Sequence, residues 1–188
     1  VQPVDAVQQT HPDYSCGDEA GYVERTLSLP APDLPTMTTK INVFLPPCYE
    51  ANPEVHYPVL YLLHGRGGSD TRYLEYLKTL SMSDNYVPFI AVTPKNGAEF
   101  DLVESWMVES LVPAIDQSYR TIPVSAYRGI GGLSRGAGIA MQVALKHPEQ
   151  FGQVHLSMLA HFRQTNEIEQ WIQALPPDQT PLIFISIG

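Results

Sequence analysis

The sequence predicts an α/β fold: a mostly parallel sheet with helices on both faces and antiparallel strands on its N-terminal side. Three observations carry this. From Pro58 onward, short apolar runs alternate with helix-length amphipathic segments, the pattern that builds βαβ units. One of those runs, Pro58–Leu63, is continuously apolar, as a strand buried on both faces is, and Val87–Thr93, stopped by Pro94, reads as another buried strand. Ahead of them, Gly21–Leu29 and Met37–Leu45 are rich in Val, Thr, Ile, Phe and Leu, and proline closes each, which marks two strands joined by the turn-rich Pro30–Pro35.

Each element follows from local pattern. Residues 1–20 are polar without a period and read as an irregular lead-in to one domain over 21–188. In the second strand Lys40, Asn42 and Phe44 alternate with Ile41, Val43 and Leu45, which predicts a half-covered edge hairpin. A short helix over Asp70–Leu80 is expected between the two apolar runs. In Phe100–Tyr119 the residues Phe100, Val103, Met107, Leu111 and Ile115 recur at three- and four-residue intervals, a helical stripe that Pro113 should kink or split. Tyr127–Gly132 is the next strand. Ser134–His147 is a helix with Ala137, Ala140, Val143 and Ala144 on one face, ended by Pro148. A short strand at Val154–Met158, a helix at Asn166–Leu175 and a buried strand at Pro181–Ile187 complete the series.

Composition narrows the function classes. The 188 residues are 44% hydrophobic and 16% charged, enough for a single globule with a real core. Lys and Arg number 11 against 20 Asp and Glu, and the formal charge of −9 leaves no basic surface for a phosphate backbone, so no nucleic-acid partner is expected. No apolar run is long enough for a membrane span. Val1 in place of Met points to a processed or trimmed N-terminus. Cys16 and Cys48, about 32 residues apart, sit beside turn residues with no His or Cys at zinc spacing, so no metal site is expected. They are a disulfide candidate, worth about 3–4 kcal/mol in the chain-entropy model and implying a secreted or periplasmic protein; two reduced thiols in a cytoplasmic protein are the alternative.

The chemistry is concentrated in Gly132–Leu133–Ser134–Arg135–Gly136, a Gly-x-Ser-x-Gly run between a strand and a helix. Chance places such a run about 0.05 times in a chain of this length. A nucleophile elbow needs small residues two before and two after the serine, because strand and helix backbones come too close for a Cβ. Ser134 Oγ would then project at the carboxyl end of the sheet over a helix N-terminus, whose N–H groups and dipole suit an oxyanion. The plain alternative is a glycine-rich turn with Ser134 as helix N-cap. A second element, His64–Gly65–Arg66–Gly67–Gly68, ends an earlier buried strand, and an oxyanion hole in this arrangement takes one backbone N–H from Arg135 and one from Arg66. The His64 ring is read as support for that loop rather than as a catalyst.

With these segments the chain resembles the esterase-D/feruloyl-esterase type of α/β-hydrolase, which includes the mycolyl transferases. The resemblance rests on Val43–Tyr49, Tyr57–Gly65, Glu109–Asp116 with Tyr119–Arg120–Thr121, Gly132–Gly136, Lys146–His147–Pro148 and Phe151–Gly152. It implies a serine carboxylic-ester hydrolase, or an acyltransferase of the mycolyl type, working through an acyl-enzyme without metal or organic cofactor. Its substrate would be a small-molecule or carbohydrate-linked ester. Arg135 departs from the Met usual after the nucleophile, which biases the expectation toward acidic or polar acyl groups.

A serine needs a histidine to take its proton and a carboxylate to orient that histidine, in the chain order Ser, acid, His. The acid belongs after the strand Pro181–Ile187, so acid and base are expected beyond Gly188 and the domain is expected to be incomplete at its C-terminus. A fold that keeps the pocket without the base, a binding pseudoenzyme, is the alternative. Within the chain His161 is the one histidine expected near the carboxyl edge; His155 lies in a strand and His147 at a helix end. Asp178 should sit at the opposite end of the sheet, and Asp101 and Glu104 are expected on a solvated helix face. Tyr73, Tyr76, Trp106 and Trp171 are read as packing residues.

Overall fold

The computed structural model describes residues 23–29, 40–83, 85–97, 99–160 and 165–187. Seven strands form one sheet: β1 (Val23–Ser28), β2 (Lys40–Leu45), β3 (Val59–Leu63), β4 (Ile90–Pro94), β5 (Arg128–Leu133), β6 (Gln153–Ser157) and β7 (Leu182–Ser186), in the order β1-β2-β4-β3-β5-β6-β7. The β1–β2 and β2–β4 pairs are antiparallel and all others parallel, so the mostly parallel sheet with antiparallel N-terminal strands is as expected. The lead-in, Cys16 and the Pro30–Pro35 turn lie outside the described residues.

Alternation along β3 divides the core. Val59, Tyr61 and Leu63 face a large cluster built with Ile130, Val154 and Leu156 and with the helices α2 (Phe100–Trp106), α3 (Val112–Ser118) and α4 (Arg135–Lys146). Leu62 turns to the other face, where Phe44, Leu77 and Ala91 pack beneath α1 (Leu74–Ser81). The helix α5 (Thr165–Ala174) packs on α4 through Ile168, Trp171 and Leu175 at the margin of the large cluster.

Two strand expectations are corrected. The β1–β2 hairpin does lie at the edge of the sheet, but β2 is not half-covered: Asn42 and Phe44 are buried like Ile41, Val43 and Leu45, because α1 covers the face the alternation left open. β7, read as a buried strand, is instead the far edge of the sheet, with Leu182, Phe184 and Ile185 each more than half exposed. Among the described residues its apolar run has a strand partner on one side only, and no helix covers either of its faces.

The long helical stripe is split as Pro113 requires. α2 runs into a π turn over Met107–Leu111, and α3 restarts with proline in its first turn, where the missing N–H costs nothing. The wider turn still keeps Val103, Met107, Leu111 and Ile115 on the core side.

Candidate active site

β5 rises through Gly129, Gly131 and Gly132 and turns sharply at Ser134 into α4. Ser134 has φ 53° and ψ −114°, a conformation only glycine adopts without strain. It makes no side-chain capping bond, so the N-cap reading of this serine does not describe it. Its backbone is held instead: Ser134 N–H donates to Ser157 O at 2.9 Å, and Ser134 O accepts from Gly138 N–H at 3.1 Å and Ala160 N–H at 3.3 Å.

The small residues around it are dictated by approach distance. A Cβ on Gly132 would lie 2.3 Å from Gly136 C, and one on Gly136 would lie 2.2 Å from Leu63 O and 2.7 Å from His64 O. One on Gly65 would lie 3.1 Å from Leu133 O and 3.6 Å from Ser134 Cβ. The loop after β3 therefore presses directly on the elbow, which brings His64–Gly68 and Ser134–Gly136 together as the sequence predicts. Gly67 at φ 70° and the Gly68 N–H to Gly65 O bond at 3.0 Å close that loop as a type II turn, with Arg66 exposed at its corner.

His64 is buried and spent on the loop. Nδ1 lies 2.8 Å from Gly65 O, which can only accept, and Nε2 lies 3.3 Å from Asn96 N–H, which can only donate. The ring is thus the Nδ1–H tautomer, with both nitrogens engaged in support. Asn96, in the loop between β4 and α2, also grips the His64 backbone: its Oδ1 accepts from His64 N–H at 3.2 Å and its Nδ2 donates to His64 O at 2.9 Å. Its own carbonyl accepts from Arg135 Nη1. No sequence pattern singles out Asn96.

The Arg135 guanidinium spreads over the Phe100 ring, 4.9 Å from its centre. Partial burial lowers its pKa from the ordinary value; the Glu99 carboxylate opposes that shift and the Arg66 cation adds to it. Arg66 and Glu99 thus lie within electrostatic reach of the residue that follows Ser134.

The other titratable residues fall elsewhere. Asp178 lines a hollow with Ser125, Gly152 and Leu182 at the amino ends of the strands, the end opposite Ser134. His155 is exposed on β6, 3.3 Å from Ser186 Oγ. Glu104 corrects the solvated-face reading: it is buried between α2 and α4, and takes Gln142 Nε2, Lys146 Nζ at 2.8 Å and His147 Nε2 at 2.9 Å. Asp101 also reaches Gln142, at 2.6 Å. Trp106 is core, Trp171 carries Lys146 over its ring, Tyr73 bonds Leu63 O and Tyr76 is exposed, so none of these aromatics lines the site. His161 lies outside the described residues. Among the described residues no histidine or carboxylate bonds Ser134, no group of side chains suits a metal ion, and no helix is long and apolar enough to cross a membrane. A cavity of about 480 Å³ lined by Leu60, Tyr86, Phe89 and Tyr127 opens at the amino ends of β3 to β5, away from the elbow.

Comparison with known proteins bears on the family and the fold. Residues 35–162 match the family described as "Putative esterase". An endo-1,4-beta-xylanase/feruloyl esterase of Xylanibacter ruminicola is 30% identical, over 59% of this chain and 18% of that protein. An esterase of Mycobacterium tuberculosis is 30% identical, over 59% of this chain and 27% of that one. The chain spans less than a third of the length of these curated relatives. Among solved structures, a mutant feruloyl esterase module from Clostridium thermocellum complexed with sinapinate superposes with TM-score 0.72 at 20% identity, covering 92% of this chain and 71% of that one. The fluorophosphonate-binding serine hydrolase FphF of Staphylococcus aureus gives 0.68 at 16%, covering 89% and 79%. Likeness at such identities shows the α/β-hydrolase fold. Because the family match covers most of the sequence and includes both the elbow and the loop that presses on it, the chain belongs to this esterase family.

Proposed function

We propose that the protein is a serine carboxylic-ester hydrolase in which Ser134 Oγ attacks the ester carbonyl and forms an acyl-enzyme. The observation that carries this reading is the strained backbone at Ser134, held between β5 and α4 with its hydroxyl unused in capping. The backbone N–H groups of Arg135 and Arg66 form the oxyanion hole, each lowering the barrier by a few kcal/mol. The histidine that takes the serine proton, and its carboxylate, come from beyond Gly188, in the chain order Ser, acid, His. Esters of aromatic acids, of the kind named for the feruloyl esterase relatives, and short-chain or sugar-linked esters are its substrate class.

Hydrolysis of p-nitrophenyl acetate by the native protein tests this. Ser134→Ala should abolish turnover by several orders of magnitude, and a fluorophosphonate should add to the wild type and not to the variant. Equal hydrolysis by both would sink the assignment.

A further inference from the structure

We infer that Asn96 is the positioning residue of the oxyanion hole, the group that holds its two halves in register. This rests on the reading of Ser134 as nucleophile. The two N–H donors proposed for the hole belong to chain segments about 70 residues apart, Arg66 after β3 and Arg135 after β5. Asn96, nearly fully buried, is bonded to both segments.

The amide of Asn96 does the work of a neighbouring strand. Pairing of β3 with β4 runs from Val59↔Ile90 to Tyr61↔Val92 and then stops. Beyond it, Asn96 Oδ1 takes the N–H of His64 and Nδ2 gives to its C=O, so the backbone next to Arg66 stays satisfied and fixed although the ladder has ended. Only a carboxamide offers acceptor and donor on one short fork: Asp has no donor, and Gln is one methylene too long for a side chain this enclosed. Through its main chain the same residue donates its N–H to the His64 ring and accepts at its C=O from the Arg135 guanidinium, so side chain and backbone tie the loop after β3 to the first residue of α4. A hole of this kind works only if both donors aim at the place where negative charge develops, and a small misplacement of one of them costs rate more than binding.

Asn96→Asp and Asn96→Ala in the native protein test this. Turnover of p-nitrophenyl acetate and inhibition by an aryl trifluoromethyl ketone, whose serine adduct carries the oxyanion, are measured on each. We expect kcat to fall about 10–100-fold with KM changed by less than about twofold, and the ketone inhibition constant to rise in the same proportion. A merely structural role lowers the fraction of active protein and the melting temperature but leaves the inhibition constant of the surviving enzyme unmoved, and that result overturns the proposal. Asn96→Asp, nearly isosteric, decides if the alanine variant does not fold. If wild type and Ser134→Ala hydrolyse the ester equally, the nucleophile reading has failed instead.

Discussion

Ser134 sits where a β-carbon is unwelcome, and the cost shows in stability rather than in activity. Ser134→Gly should relieve the φ 53° backbone and raise stability by about 1 kcal/mol in chemical denaturation, while removing the proposed nucleophile. Gly136→Ala should act in the opposite sense: its Cβ meets backbone carbonyls of β3 and its loop, which cannot step aside as a flexible side chain can. A loss of about 1–3 kcal/mol, with hydrolysis reduced beyond what the lost folded fraction explains, is expected. Gly97→Ala, with nothing within 4 Å of the added carbon, is the control and should unfold like the wild type. At this scale the sequence shows what repeats a known steric demand. Gly132, Ser134 and Gly136 are legible because the elbow excludes side chains at fixed spacing. Asn96 is not, because a buried asparagine in a loop has no period and declares itself only through partners 32 residues away.

Between elements, the main polar joint of the helical layer is the Glu104 cluster linking α2 to α4. Burial works against the Glu104 charge, but hydrogen bonds from Gln142, Lys146 and His147 outweigh it and hold the carboxyl below its ordinary value of 4.5. A carboxyl depressed in the folded state stabilises the fold above its unfolded pKa and loses that contribution as pH falls through the folded one. Glu104→Ala should therefore cost about 3 kcal/mol at pH 7, measured by denaturant unfolding, and the difference from wild type should shrink as the pH is lowered below about 4.5. The helices themselves are readable from apolar spacing, and the split at Pro113 from its missing donor. Glu104 is misread for a related reason: periodicity sees a charge at a helix start, whereas its burial is decided by which helix lies across it. The same limit explains β2 and β7, whose apolar patterns are right for strands but do not say which neighbours will cover them.

For the whole molecule, two features outside the elbow give testable expectations. We propose that Cys48, buried in its turn at φ 62°, pairs with Cys16. The unreduced protein should then be lighter by two hydrogens than the reduced one in intact-mass measurement, and unchanged mass on reduction would refute the bond. The central β3–β5 pairing, from Val59↔Arg128 to Leu63↔Gly132, has a kinetic meaning as well. It joins segments about 69 residues apart, more than twice the separation of the β3–β4 pairing, which makes it a slow event in folding. Of the groups proposed for the site, Arg66 follows β3 whereas Ser134 and Arg135 follow β5, so a species that lacks this pairing does not assemble them. During refolding, reactivity toward a fluorophosphonate should return with the slowest folding phase, while the local helix signal recovers earlier.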